Sequence, residues 1–267
     1  MRNPFRYGEV VGGEYFTDRE SELEELLADM RNGQNVVIIS PRRFGKSSLV
    51  LRARDVARAE DTLVAYVDLF RAPSKDKLAD HLAEALYTGL AAPLERVRQK
   101  AVEVFRNLPV HPKISFSIDG TPTFEFTAAD RPRDVERTLE SLLALPGKIA
   151  AEREQRVVVV FDEFQEVVKI DPHLPALMRA VFQPQTDVAH IFLGSRRHLM
   201  RQVFTDENQP MYRLAKPLIL RPIERAKFAS FVRERFAATG CRITDEATDL
   251  LLDRTECHPH DTQELCY

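Results

Sequence analysis

The chain has few cysteines, few glycines, no long apolar run and no strong excess of charge. Three cysteines in 267 residues (Cys241, Cys257, Cys266) lack the spacing of a metal site and fit reduced thiols in a cytosolic protein. Ten glycines, with no internal repeat, exclude a low-complexity architecture. No apolar stretch approaches the ~18 residues of a membrane span. The first ten residues contain no apolar signal core, so no membrane role is expected and the protein is read as cytoplasmic. A formal net charge of −3 supplies no global pull toward nucleic acid or anionic membrane. What is present is an ordinary globular profile, 44% hydrophobic and 30% charged, long enough for one large domain and a smaller one.

The strongest local signal lies in residues 36–48. A β-branched apolar run, Val36-Val37-Ile38-Ile39, stops at Ser40-Pro41-Arg42-Arg43-Phe44, and the turn ends in Gly45-Lys46-Ser47-Ser48. A buried strand that delivers such a loop lets backbone N–H groups curl around phosphate oxygens, and a helix opening at Lys46 aims its positive end at them. Lys46 is placed to reach the β- and γ-phosphates, and the Ser47 hydroxyl to ligand Mg²⁺. The pattern asks for glycine where the chain has Ser40, a residue that tolerates positive φ poorly.

Apolar periodicity predicts a helix capped by Thr17 or Asp18 and running to about Met30, strands over 35–39, 63–69, 156–161, 190–194 and 217–220, and helices at 46–58, 75–90, 94–107, 132–153 and 174–182. Alternation around Asp119-Gly120 predicts a β-hairpin insertion at about 112–128. Helices at 223–238, 244–254 and 260–267 complete the chain. The expected fold is α/β: a five-stranded parallel sheet of the P-loop NTPase type, covered by helices on both faces. Residues 1–222 form the core and 223–267 the start of a helical lid. The chain ends in what reads as mid-helix, so a further domain is expected to follow.

Four valines and Phe161 form a buried strand ending in Asp162-Glu163. Adjacent residues at a strand end point to different sides. One carboxylate then serves a metal, Asp162 with Ser47, while Glu163 accepts a proton from attacking water. Ser195, at the end of the 190–194 strand, fits a residue that positions this water; its bland role is a helix N-cap. An arginine is expected to clamp developing γ-phosphate charge. The candidates are Arg42, Arg43, Arg196, Arg197 and Arg213, with Arg213 first.

Several segments in order resemble the archaeal-type ATPase family, which is related to the STAND and AAA+ branches of P-loop NTPases. They are Asn3-Pro4-Phe5, Phe16-Thr17-Asp18-Arg19-Glu20, the 41–48 loop, Tyr66-Val67-Asp68, Phe161-Asp162-Glu163-Phe164-Gln165, and Leu193-Gly194-Ser195. Pro210-Met211-Tyr212-Arg213 resembles a Pro-Leu-Tyr-Gly-Arg segment without its glycine, and Cys257-His258-Pro259 a Gly-x-Pro segment with cysteine for glycine. The resemblance implies ATP and Mg²⁺ as ligands, with Phe16 and Arg19 near the adenine and Pro259 in a lid that touches nucleotide. It implies a winged-helix domain after the lid.

The resulting expectation is a slow ATPase that works as a nucleotide-dependent switch on a protein partner not identified by sequence. A DNA-associated AAA+-like ATPase, reading DNA through a further C-terminal domain, and a nucleotide-binding module with little turnover remain alternatives. Oligomerisation fits any of the three. His258 and His260 beside Cys257 lack the four ligands of a zinc site. Phe116, Phe124 and Phe126 of the hairpin read as packing residues.

Overall fold

The computed structural model describes residues 3–8, 17–91, 113–116, 122–125 and 132–267. In chain order the strands are β1 (Val36–Ile39), β2 (Leu63–Asp68), β3 (Lys113–Phe116), β4 (Pro122–Glu125), β5 (Val157–Asp162), β6 (Val188–Gly194) and β7 (Lys216–Ile219). Five of them form one parallel sheet in the order β2-β5-β6-β1-β7, while β3 and β4 pair antiparallel as the expected hairpin. The helices are α1 (Glu20–Arg31), α2 (Lys46–Ala59), α3 (Lys75–Leu86), α4 (Pro132–Arg153), α5 (Val167–Ile170), α6 (Leu174–Phe182), α7 (Arg197–Thr205), α8 (Arg225–Ala237), α9 (Asp245–Thr255) and α10 (Pro259–Cys266). The helix expected at 94–107 falls outside the described residues, as do Phe16 and Phe126.

The continuous apolar strands are explained by two cores, one on each face of the sheet. Val36, Ile38, Val158, Val160 and Ile191 face α1 and α2, where they meet Leu26, Met30, Leu49 and Ala53. Val37, Ile39, Val157, Val159 and Phe161 face the other way, onto α3, α4, α6 and α7. Successive strand residues point to opposite faces, so a strand covered on both sides must be apolar at every position. Phe124 of β4 is buried and packs on Tyr87, as a covering insertion should.

A third core, around Phe228, Val232 and Leu252, holds α8, α9 and α10 together. Phe5 joins it, 2% exposed, with its ring 5.0 Å from Phe236. Asn3 Nδ2 donates to the Tyr267 carbonyl at the far end of the chain, and Arg6 N donates to Gln263 Oε1. Residues 3–8 therefore pack with α8–α10, although they precede the sheet in sequence.

The start of α1 differs from expectation. Neither Thr17 nor Asp18 caps it; the helix opens at Glu20 after Arg19, with no side-chain cap. Asp18 instead accepts from Glu224 N at 2.7 Å and pairs with Lys227 at 2.7 Å, tying this turn to the start of α8. A tertiary partner has taken the carboxylate that local helix chemistry would have used.

Candidate active site

The parallel register brings the carboxyl ends of the strands together: Ile39 pairs with Gly194, and Asp68 with Asp162. Ligand clefts form at this end of open α/β sheets. Here a cavity of about 550 Å³ opens between the sheet and α10, within the size range of small-molecule sites.

The loop after β1 forms one wall. Ser40 is buried and keeps its backbone outside the left-handed region, which is occupied instead by Arg43 (φ 64°) and Gly45 (φ 84°). The absent first glycine is thus no steric obstacle, because the demand for positive φ falls further along the loop. Lys46 opens α2, and its Nζ donates to the carbonyls of Pro41 (2.8 Å) and Ser40 (3.3 Å). Burial lowers the Lys46 pKa, and the nearby Glu163 and Asp162 carboxylates oppose that shift. Arg42, Arg43, Gly45, Lys46, Ser47 and Ser48 all line the cavity.

The opposite wall is built by the end of β5. Asp162 Oδ2 accepts from the Tyr66 hydroxyl and from Ser47 Oγ at 3.4 Å, while Oδ1 accepts from Glu163 N at 2.8 Å. Burial raises the Asp162 pKa, and the hydrogen bonds from Tyr66 and Glu163 N partly counter it. Burial, then the Asp162 charge, pushes the Tyr66 phenol well up, so it stays a donor. Ser47 and Asp162 are a hydroxyl and a carboxylate converging on one point, a hard-oxygen pair that suits Mg²⁺.

Glu163 adopts left-handed backbone angles (φ 52°, ψ 42°), which cost a side-chain-bearing residue about 1 kcal/mol. Its Oε2 accepts from Ser195 Oγ at 2.8 Å and from Gln165 Nε2. Ser195 is not the cap of α7, which follows Arg196 without a side-chain cap. Asp162, Glu163, Ser195 and Arg196 all line the cavity. The far end is closed by Arg6, Tyr7 and Gly8 with Pro259, His260 and Gln263.

Other expected residues lie elsewhere. The buried Phe44 ring meets His258 edge-on at 4.7 Å, joining the loop to the residue that caps α10. The Arg19 guanidinium is buried, donating to the Arg221 carbonyl (2.7 Å), to Glu22 (2.8 Å) and to the Phe44 carbonyl (3.5 Å). Arg213 is exposed over its own Tyr212 ring and does not line the cavity. Its φ of 55° is the conformation glycine favours, at the point where the resembled segment carries one.

Sequence reading missed Tyr66 and Gln165 as parts of the site. Tyr66 had a faint signal, standing two residues before Asp68 at the end of β2 and hence on the same strand face. Gln165 had none, since a buried glutamine is visible only once its partner is placed.

A parallel sheet with a phosphate loop after its first strand, Lys-Ser opening the next helix and a carboxylate pair at the end of β5, one strand removed from β1, defines a P-loop NTPase. The family described as the ATPase domain predominantly from Archaea matches residues 16–263, and the chain belongs to it. Solved structures share the fold. The Walker-type ATPase PABY2304 of Pyrococcus abyssi superposes with a TM-score of 0.64 at 17% identity, over 94% of this chain and 67% of that one. The Aeropyrum pernix ORC1 protein, solved in complex with DNA, gives 0.56 at 15%, over 95% and 59%. The Aeropyrum pernix ORC2 protein gives 0.56 at 15%, over 99% and 64%. The chain thus spans about two thirds of these relatives or less. A comparison with curated proteins gives no match.

Proposed function

We propose that the chain binds ATP with Mg²⁺ and hydrolyses it slowly, as a nucleotide-dependent switch. The observation that carries this reading is the meeting of Lys46, Ser47, Asp162 and Glu163 on one cavity. Arg42, Arg43, Lys46 and the start of α2 would hold the phosphates, with Ser47 and Asp162 holding the metal. Mg²⁺ so bound neutralises phosphate charge. Glu163 accepts a proton from the attacking water, the water oxygen bonds to the γ-phosphorus, and the bond to the ADP oxygen breaks. Ser195 keeps Glu163 in place, and Arg196 faces the same space. Arg213, exposed and outside the lining, has no part in this reading.

The lid gives the switch its readout. Phe44 in the phosphate loop touches His258 at the start of α10, and Arg19 links the loop to Arg221 just before α8. A change in loop conformation is therefore felt by the lid, which is what a two-state device requires.

The test is ATP hydrolysis and ATP binding by the wild type and Glu163→Gln. The variant is expected to bind ATP and lose turnover by at least about a hundredfold. Binding without any hydrolysis by the wild type would leave only a nucleotide-binding module. A DNA-associated role has one specific support, the fold shared with an ORC1 protein solved on DNA. It predicts turnover stimulated by DNA and lost with added salt.

A further inference from the structure

Gln165 is 3% exposed and folds back from the turn after β5 onto Glu163. Its Nε2 donates to Glu163 Oε2, the same oxygen that Ser195 Oγ holds at 2.8 Å. The other end of the amide is unmatched: Gln165 Oε1 is buried with no hydrogen-bond partner among the described residues. Such an orphan acceptor costs stability. Turning the amide over gives no relief, because it would set Oε1 against a carboxylate oxygen. The last residue of β6 makes room for this arrangement. A Cβ on Gly194 would stand 2.6 Å from Gln165 Oε1 and would also strike the Met200 side chain.

We infer that Gln165 is a positioning residue for Glu163. Two donors, one from the end of β6 and one from the turn after β5, converge on Oε2 and leave Oε1 to receive the proton of water. Glu163 is half-buried at the cavity wall, and its side chain has three torsions to fix. Without Gln165 only Ser195, among the described residues, holds it by a side-chain hydrogen bond. Gln165 does not itself line the cavity, so it acts through Glu163. The orphan carbonyl is then the stability cost of an oriented base, a compromise expected at functional sites. This inference rests on Glu163 as the base.

The test compares wild type, Gln165→Met and Glu163→Gln in steady-state ATP hydrolysis, ATP affinity and thermal unfolding. Methionine keeps the length of the side chain while removing both the donor and the orphan acceptor. The expected result is a kcat lower by about tenfold, the scale of losing a group that supports a functional side chain. ATP affinity and KM should be unchanged, and Tm equal to the wild type or higher. A purely structural role predicts the reverse: a lower Tm, with kcat and affinity falling together. That pattern, failure to fold, or wild-type kcat in Gln165→Met overturns the inference. If Glu163→Gln keeps wild-type turnover, the reading of Glu163 as base falls and takes the inference with it. If Glu163→Gln is inactive while Gln165→Met is fully active, only the inference falls.

Discussion

Ser195 Oγ donates to Glu163 Oε2 across 2.8 Å, joining the polar end of β6 to the acidic end of β5. Two residues 32 apart in sequence meet because β5 and β6 are neighbours in the sheet. The contact sits on the carboxylate and away from the loop carbonyls that hold Lys46. Ser195→Ala is therefore expected to lower kcat by about tenfold while leaving ATP affinity intact. Parallel loss of affinity, measured by equilibrium titration, would instead place Ser195 on the nucleotide.

Tyr66 makes a different prediction, because its hydroxyl donates to Asp162. Tyr66→Phe removes a donor from the carboxylate proposed to hold the metal, along with its hydrogen bond to Ser47, and leaves the loop residues that would bind phosphate in place. The Mg²⁺ concentration for half-maximal turnover should rise by about tenfold. Nucleotide binding in the absence of Mg²⁺ should not change. An unaltered Mg²⁺ titration would show that Ser47 and Glu163 N suffice to orient Asp162.

Backbone conformation separates Arg213 from Ser40. Arg213 is exposed at φ 55°, so Arg213→Gly should stabilise the fold by about 0.5–1 kcal/mol, the relief of left-handed strain less the added freedom of the unfolded chain. Ser40 carries no positive φ and is buried, so Ser40→Gly should stabilise nothing. Denaturant melts of the two variants decide this. If Arg213→Gly also loses turnover, the arginine has a role beyond its backbone.

His190 sets an acid limit. Its ring is buried, stacked on Phe182 at 3.9 Å, with Nδ1 3.1 Å from Asn35 Oδ1, and Nε2 has no partner among the described residues. Burial lowers its pKa from 6.5 to about 3, so the folded state keeps it neutral where the unfolded chain binds a proton. Its contribution is complete above pH 6.5 and is lost as pH falls toward about 3, at a slope of about 1.4 kcal/mol per pH unit. His190→Leu should remove that part of the slope. Identical pH dependence of unfolding in the two proteins would show that the ring escapes protonation by local opening.

Much of the fold was legible because its information is local. The run 36–39, the loop to Ser48 and the valines before Asp162 each carry strand, turn and helix chemistry within about ten residues. The two-sided core follows from apolar residues at every strand position. The bounds of α4 came out as expected even across Pro146. The cap of α1 did not, since Asp18 serves Glu224 and Lys227. Ser40 looked like a defect in the loop, yet the backbone puts its positive φ at Arg43 and Gly45.

Residue types and their spacing placed lysine, serine and two carboxylates at strand ends, and a parallel sheet gathers strand ends on one edge. Those statements need only the chain's periodicity and the chirality of its connections. What folding alone settled is which side chain holds which. Tyr66 reaches Asp162 across 96 residues, and Arg19 reaches the Arg221 carbonyl across 202. Gln165 needs only two residues of separation from Glu163, but its place depends on the bare Cα of Gly194 in another strand. Such pairings are set by sheet order and by the space left between packed elements, and neither is written in any one segment.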